Sequence, residues 1–172
     1  MEMLILVDEK DGEIGFAPKE ETHVWPAKLH RAFSIFIFNS KGEMLIHKRA
    51  SMKKTWPGFW TNACCSHPRK GEATAEAAAR RLKEELGFSC ELKEMFAFPY
   101  KAQYDEHYGE NEFDHVFIGH YDGPVKPDKG EVEEWKFVAI RDLITHVAVH
   151  PEIYTPWFRA CFERVLEVMG NK

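Results

Sequence analysis

One stretch of this 172-residue chain restricts its fold more than any other. From Thr74 to Leu86 there is neither proline nor glycine, and Gly87 follows where a helix would end in the left-handed conformation. Thr74 reads as the cap of that helix, and Ala75, Ala78, Ala79, Leu82 and Leu86 as its apolar stripe. A helix with one apolar face must lie against another layer.

Short strand-like runs supply that layer. Residues 3–7 read as a strand, and residues 8–29 as polar and irregular, with Pro18 and Pro26 excluding a long helix. Arg31–Phe38 reads as a buried strand, Asn39–Gly42 as a turn and Met44–Lys48 as the return strand of a β-hairpin. Further strands are expected at Leu92–Tyr100, Glu112–His120 and Glu134–Ile140. A short helix near Arg141–His146 and a terminal helix over Pro156–Met169 close the chain. This order predicts an α/β (α+β) layered sandwich around a mixed sheet. With no repeat, low-complexity tract or linker, residues 1–172 read as a single domain.

Hydrophobic residues at 44 % and aromatics at 13 % are enough for a core. The net charge of −5 argues against a nucleic-acid partner but leaves room for a small anion held by local cations. Met1–Asp8 shows no basic leader and an apolar run too short for a signal peptide, and no other run is long enough for a membrane partner. Cys64, Cys65, Cys90 and Cys161 make no spaced framework, which predicts reduced thiols and a cytoplasmic protein.

Residues 51–71 read as a long loop, and loops of that length in small domains are usually functional. The loop contains Trp60–Pro68, where Cys65 and His67 suit either thiol acid–base chemistry or metal ligation, against the ordinary alternative of a buried cysteine pair and a satisfied histidine. His23 and His30 are separated by Pro26, so they converge only if the chain bends between them. Glu110 and Glu112 stand two apart at a strand start and can aim at one point, against the ordinary alternative of a solvated acidic strand end beside Asp105 and Glu106. Three imidazoles and two carboxylates suit Mn²⁺, Zn²⁺ or Mg²⁺ better than a Cys-rich structural zinc site. On the helix, Arg81 and Glu85 are one turn apart, as are Arg80 and Glu84. They read either as ordinary ion pairs or as a phosphate contact beside a metal ligand. Lys48, Arg49, Lys53 and Lys54, with Lys19 and Lys28 near His23, make a solvated basic face or a diphosphate clamp.

Ser66, Glu72, Arg80, Leu82, Glu84, Glu85, Gly87 and Phe88 resemble a Nudix box, with Ser66 in place of its opening glycine and Arg81 in place of the glutamate that follows Arg80. That charge reversal, together with Trp60-Thr61-Asn62-Ala63-Cys64-Cys65-Ser66-His67-Pro68, Trp56-Pro57-Gly58, Glu110-Asn111-Glu112 and Thr155-Pro156-Trp157, resembles the type 1 isopentenyl diphosphate isomerases over about Lys19–Trp157. The resemblance implies a Nudix-like layered sandwich and interconversion of isopentenyl and dimethylallyl diphosphate. It implies a Mn²⁺, Zn²⁺ or Mg²⁺ site at His23, His30, His67, Glu110 and Glu112, and Glu85 as ligand of a Mg²⁺ that arrives with the diphosphate. It implies diphosphate contacts at Lys19, Arg49, Lys53 and Arg81, a catalytic pair of Cys65 and Glu112 assisted by Tyr100, and a hydrocarbon pocket lined by Tyr100 and Trp157. Asp114 and His115 stand where that family's further cysteine is expected and are neutral to the scheme.

Moving the double bond needs an acid and a base and no redox cofactor. The competing expectation is a Nudix-type diphosphate hydrolase, against which Arg81 argues. The expected partner is the small diphosphate substrate alone, and the expected state a monomer or weak homodimer.

Overall fold

Strand β3 (His30–Phe38) is the spine of the molecule because its side chains alternate between two cores. Phe33, Ile35 and Ile37 face one, and Phe36 and Phe38 the other. The computed structural model describes residues 2–170; Met1, Asn171 and Lys172, the ends of the expected 1–172 domain, lie outside the described residues.

The strands are β1 (Met3–Val7), β2 (Glu13–Pro18), β3, β4 (Glu43–Arg49), β5 (Trp60–Thr61), β6 (Cys64–Ser66), β7 (Leu92–Gln103), β8 (Gly109–His120) and β9 (Val132–Ala139). The helices are α1 (Lys19–Thr22), α2 (Thr74–Leu86), α3 (Ile140–Val149) and α4 (Pro156–Val168). The sheet is mixed. β3 runs parallel to β8 and antiparallel to β6, while β8 pairs antiparallel with β7 and β4 with β9. α2 covers the face of Phe33, Ile35, Ile37 and Phe117 with Ala77, Ala78, Leu82 and Leu86. α4 covers the other face, packing Phe158, Phe162 and Val165 on Phe36, Ile46 and Val116. This is the expected layered α+β sandwich around a mixed sheet.

Several local expectations change. Residues 8–29 are not wholly irregular: β2 pairs with β1 from Met3↔Pro18 to Val7↔Glu13, and α1 follows. Exposed Glu13 and Ile14 blunt the alternation that would have signalled β2. The loop 51–71 contains β5 and β6, whose two and three residues are too short to show a period. The 39–42 turn exists, but β3 and β4 pair only at Phe38↔Met44 before diverging to different neighbours, so the hairpin is open. Thr74 is the first helical residue of α2 rather than its cap, and Ala73 holds the cap position without a side-chain bond. Ala75 and Ala79 are exposed, and the buried stripe is Ala77, Ala78, Leu82, Glu85 and Leu86. Gly87 ends the helix at φ 77°, as expected. α3 extends beyond 141–146 in both directions.

Candidate active site

The strand registers bring together residues that are distant in sequence. The parallel β3–β8 register sets His30 opposite Glu112, and the antiparallel β7–β8 register sets Tyr100 opposite the same Glu112. Those three side chains form one row across three strands. Glu110 lies two residues back on β8 and points to the same side. β6, paired through Ser34↔Cys65, leads directly to His67. His23 caps α1, and the chain bends back through residues 24–29 to His30.

The three imidazoles are mutual neighbours, with ring centroids 4.9–5.1 Å apart. One ligand atom from each of His23, His30, His67, Glu110 and Glu112 lies within 4.8 Å of all the others. The Nδ1 atoms of His23 and His30 donate to the carbonyls of Lys19 and Lys28 at 2.7 and 2.8 Å. That turns Nε2 of each ring toward the cluster, where loss of any proton it carries leaves the lone pair a metal ligand needs. The buried Nε2 of His30 has no hydrogen-bond partner, and Oε2 of Glu110 meets only His23 Nε2, at 3.1 Å. Orphaned buried polar atoms are costly, and an ion shared among these five residues would satisfy them. The donor set therefore fits a divalent cation.

Glu112 joins this cluster to the pocket. Its Oε1 accepts from His67 Nε2 at 2.8 Å and lies 3.5 Å from His30 Nε2, while its Oε2 accepts from the Tyr100 hydroxyl. Burial works against its charge, but the His30 and His67 contacts outweigh burial and hold its pKa well below the carboxylate range. Burial raises Glu110, and the Glu112 charge adds to the effect. Burial lowers His23, but the bond and charge of Glu110 reverse this and place it at about 9. For His67 burial prevails over Glu112, and the ring is held neutral.

A pocket of about 330 Å³ opens beside the cluster, lined among others by Cys65, Tyr100, Glu112, Trp157, Arg49 and Arg81. Burial, with the Asp114 charge adding, pushes the Cys65 thiol up, so it rests protonated. Its Sγ donates to Asn62 Oδ1 at 3.1 Å and lies 3.4 Å from Ser34 Oγ, whose proton goes to Asp114 Oδ2 at 2.7 Å. Asp114, expected to be neutral to the site, thus stands behind Cys65. His115 points away, held between Glu94 and Asp11. The adjacent cysteines part company: Cys64 packs in the α2 core and Cys65 against the α4 core.

The cations reach the pocket already paired. Lys19 bonds Glu2, Lys53 bonds Glu131, and Arg81 bonds Glu84, Glu85 and Glu131. Arg49 donates to the carbonyls of Thr55 and Trp56, and its guanidinium lies 5.1 Å from the centroid of Trp157. Glu85 is buried behind Arg81 and does not line the pocket. On the other side of α2, Arg80 bridges Glu72 and Glu84, tying the helix to the chain that enters it. Lys48 and Lys54 pair with Glu133 and Glu20 on the surface. Sequence reasoning missed Glu131 and Ser34, which stand in no motif, and named Thr61 and Asn62 only as members of the Trp60–Pro68 run, without a role.

A family model described as the NUDIX domain matches residues 28–159. Isopentenyl-diphosphate Delta-isomerases 2 and 1 of Aromatoleum aromaticum are 45 % and 47 % identical over 165 residues, 96 % of this chain and 87 % and 93 % of those proteins. Isopentenyl-diphosphate Delta-isomerase of Burkholderia multivorans is 44 % identical over 95 % of this chain and 92 % of its own length. Among solved structures, a Deinococcus radiodurans protein superposes with TM-score 0.70 at 19 % identity, covering 86 % of this chain and 90 % of its own. The MutT protein of Methanosarcina mazei does so with TM-score 0.68 at 22 % identity, covering 84 % and 96 %. These two speak to the fold alone.

Proposed function

The chain belongs to the Nudix family and, within it, to the isopentenyl-diphosphate Delta-isomerases, and from that premise we propose the roles of its individual residues. The enzyme interconverts isopentenyl and dimethylallyl diphosphate. The observation that carries this reading is the meeting of a buried thiol, a Tyr-bound carboxylate and a five-residue candidate ligand cluster around one pocket.

The reaction adds a proton to the terminal methylene of the alkene and removes one from the carbon nearer the diphosphate. Between the two steps positive charge develops on the tertiary carbon. Cys65 and Glu112 are the acid–base pair, which on two sides of the substrate is worth about 10²–10⁴ in rate for each group. Tyr100 holds the Glu112 carboxylate by its hydroxyl. Trp157 offers an indole face to the cation, an attraction of about 2 kcal/mol or more when water is excluded. Lys19, Arg49, Lys53 and Arg81 anchor the diphosphate and so fix where the alkene lies.

His23, His30, His67, Glu110 and Glu112 would hold a Mn²⁺, Zn²⁺ or Mg²⁺ ion. When bound, that ion supplies positive charge that organises Glu112 and the three imidazoles. We assign Glu85 to a Mg²⁺ that accompanies the diphosphate. The four free cysteines fit the reducing cytoplasm, and no described helix is long and apolar enough to cross a membrane.

Proton NMR of isopentenyl diphosphate mixed with the protein and Mg²⁺ tests the reading. A new pair of methyl signals from dimethylallyl diphosphate is the expected result. Phosphate release without those signals would assign the protein to diphosphate hydrolysis instead.

A further inference from the structure

Two side chains that do not line the pocket, Thr61 and Asn62, are fully buried behind it and joined by hydrogen bonds. Neither is accounted for by the acid–base pair, the ligand cluster or the cations.

Asn62 donates both amide hydrogens to backbone carbonyls, those of Ile35 and Cys64, each at 3.0 Å. Carbonyls can only accept, so the amide cannot be flipped, and Oδ1 must be the atom that faces Cys65. Trp157 Nε1 lies 2.9 Å from Thr61 Oγ1, and an indole nitrogen can only donate. Thr155 Oγ1 donates to the same oxygen at 2.9 Å, which fills both of its lone pairs. The Thr61 proton therefore goes to Asn62 Oδ1, at 2.9 Å. The remaining lone pair of Oδ1 is filled by the Cys65 thiol at 3.1 Å. Every donor and acceptor of Thr61 and Asn62 side chains is used once. The direction of each proton is dictated by groups that have no choice, the indole at one end and the two carbonyls at the other.

We propose that Thr61 and Asn62 are positioning residues for the isomerisation, because their side chains join the Cys65 thiol and the Trp157 indole through one hydrogen-bond chain of fixed direction. The inference rests on the roles given above to Cys65 and Trp157. The chain holds the sulfur in one rotamer with its S–H toward Asn62, and it fixes the plane of the indole beside the same pocket. A substrate anchored by its diphosphate thus meets a proton donor and an aromatic face that are set in common. A shift of either by 1 Å is enough to cost a large factor in rate. Buried networks with every member satisfied are the ones that rigidify a site.

The test compares the wild type with Thr61→Val, which keeps the shape and deletes the hydroxyl, and with Thr61→Ser, which restores it. Three quantities are read: kcat and KM for isopentenyl diphosphate, the thermal midpoint, and the rate at which iodoacetamide alkylates Cys65, followed by peptide mass spectrometry. Thr61→Val is expected to lower kcat at least about tenfold with KM within about twofold, and to change the alkylation rate by about threefold or more. Thr61→Ser is expected to return both to near wild type. Unchanged kcat and alkylation in Thr61→Val, with only a lower midpoint, would make the chain purely structural and overturn the proposal. Should Thr61→Val not fold, Thr155→Val removes one donor from the same oxygen outside the pocket and carries the same readouts, with wild-type values overturning the proposal. Absence of turnover in the wild type would strike at the isomerase reading itself, while the alkylation comparison would still judge the chain.

Discussion

At the scale of single residues, chemistry and anchoring separate cleanly. Cys65 and Glu112 are the proposed acid–base pair, so Cys65→Ala and Glu112→Gln should each abolish turnover in the NMR assay while near-native circular dichroism persists. An active Cys65→Ala protein would remove the thiol from the scheme. Glu131 has the opposite effect on function. It bonds both Lys53 and Arg81, two of the proposed diphosphate contacts, and must release them for an anion to bind. Glu131→Gln should therefore lower KM, by about threefold or more, and a raised KM would show that Glu131 instead aligns the cations. The proposed ligands, acid–base pair and cations could be nominated from sequence because each belongs to a dense run of chemical residue types, such as Cys65–Pro68 or Glu110–Glu112. Glu131 and Ser34 could not, because an isolated polar residue acquires its role only from partners 31 to 80 positions away, while Thr61 and Asn62 stand in the Trp60–Pro68 run without any sign of which groups their side chains bond.

At the scale of elements, legibility followed length and period. α2 was visible through its uninterrupted helix formers and Gly87, and β3 and β8 through their aromatic and branched runs. β5 and β6 were invisible, since strands of two and three residues have no pattern to show. The face of α2 was misplaced by the uniform alanines at 77–79, among which only packing decides which is buried. Leu82 is the best anchor of that face, fully buried against β3. Leu82→Ala should cost about 2–5 kcal/mol, measured as a reduced midpoint in urea. A loss below about 1 kcal/mol would mean that α2 contributes little to the core.

At the scale of the whole molecule, two buried groups tie stability to solution conditions. His47 is held neutral, its pKa lowered to about 3 by burial, with the nearby Arg49 charge adding. The unfolded chain protonates this histidine near about pH 6.5. Below that pH the unfolded state binds the extra proton first, so stability falls as pH drops from about 6.5 toward 3, by about 1.4 kcal/mol per unit. Replacing His47 by leucine should flatten that acid slope in pH-dependent unfolding, and an unchanged slope would assign it to other groups. The ligand cluster acts similarly toward metals. A cation bound only by the folded chain at a hundred times its dissociation constant adds about 2.7 kcal/mol. EDTA should lower the thermal midpoint and excess Mn²⁺, Zn²⁺ or Mg²⁺ should restore it, whereas indifference to all three would deny the cluster its ion.

The row formed by His30, Glu112 and Tyr100 also bears on how such a chain can change over evolutionary time. Its three members are aligned by two strand registers, one parallel and one antiparallel, that share β8. Side chains alternate along a strand, so one residue inserted or deleted within β8 sends every later side chain to the opposite face. Exchange of one amino acid for another leaves this alignment in place, whereas a lineage that gained or lost a single codon in β8 ahead of Glu112 would turn that side chain away from both His30 and Tyr100 at a stroke.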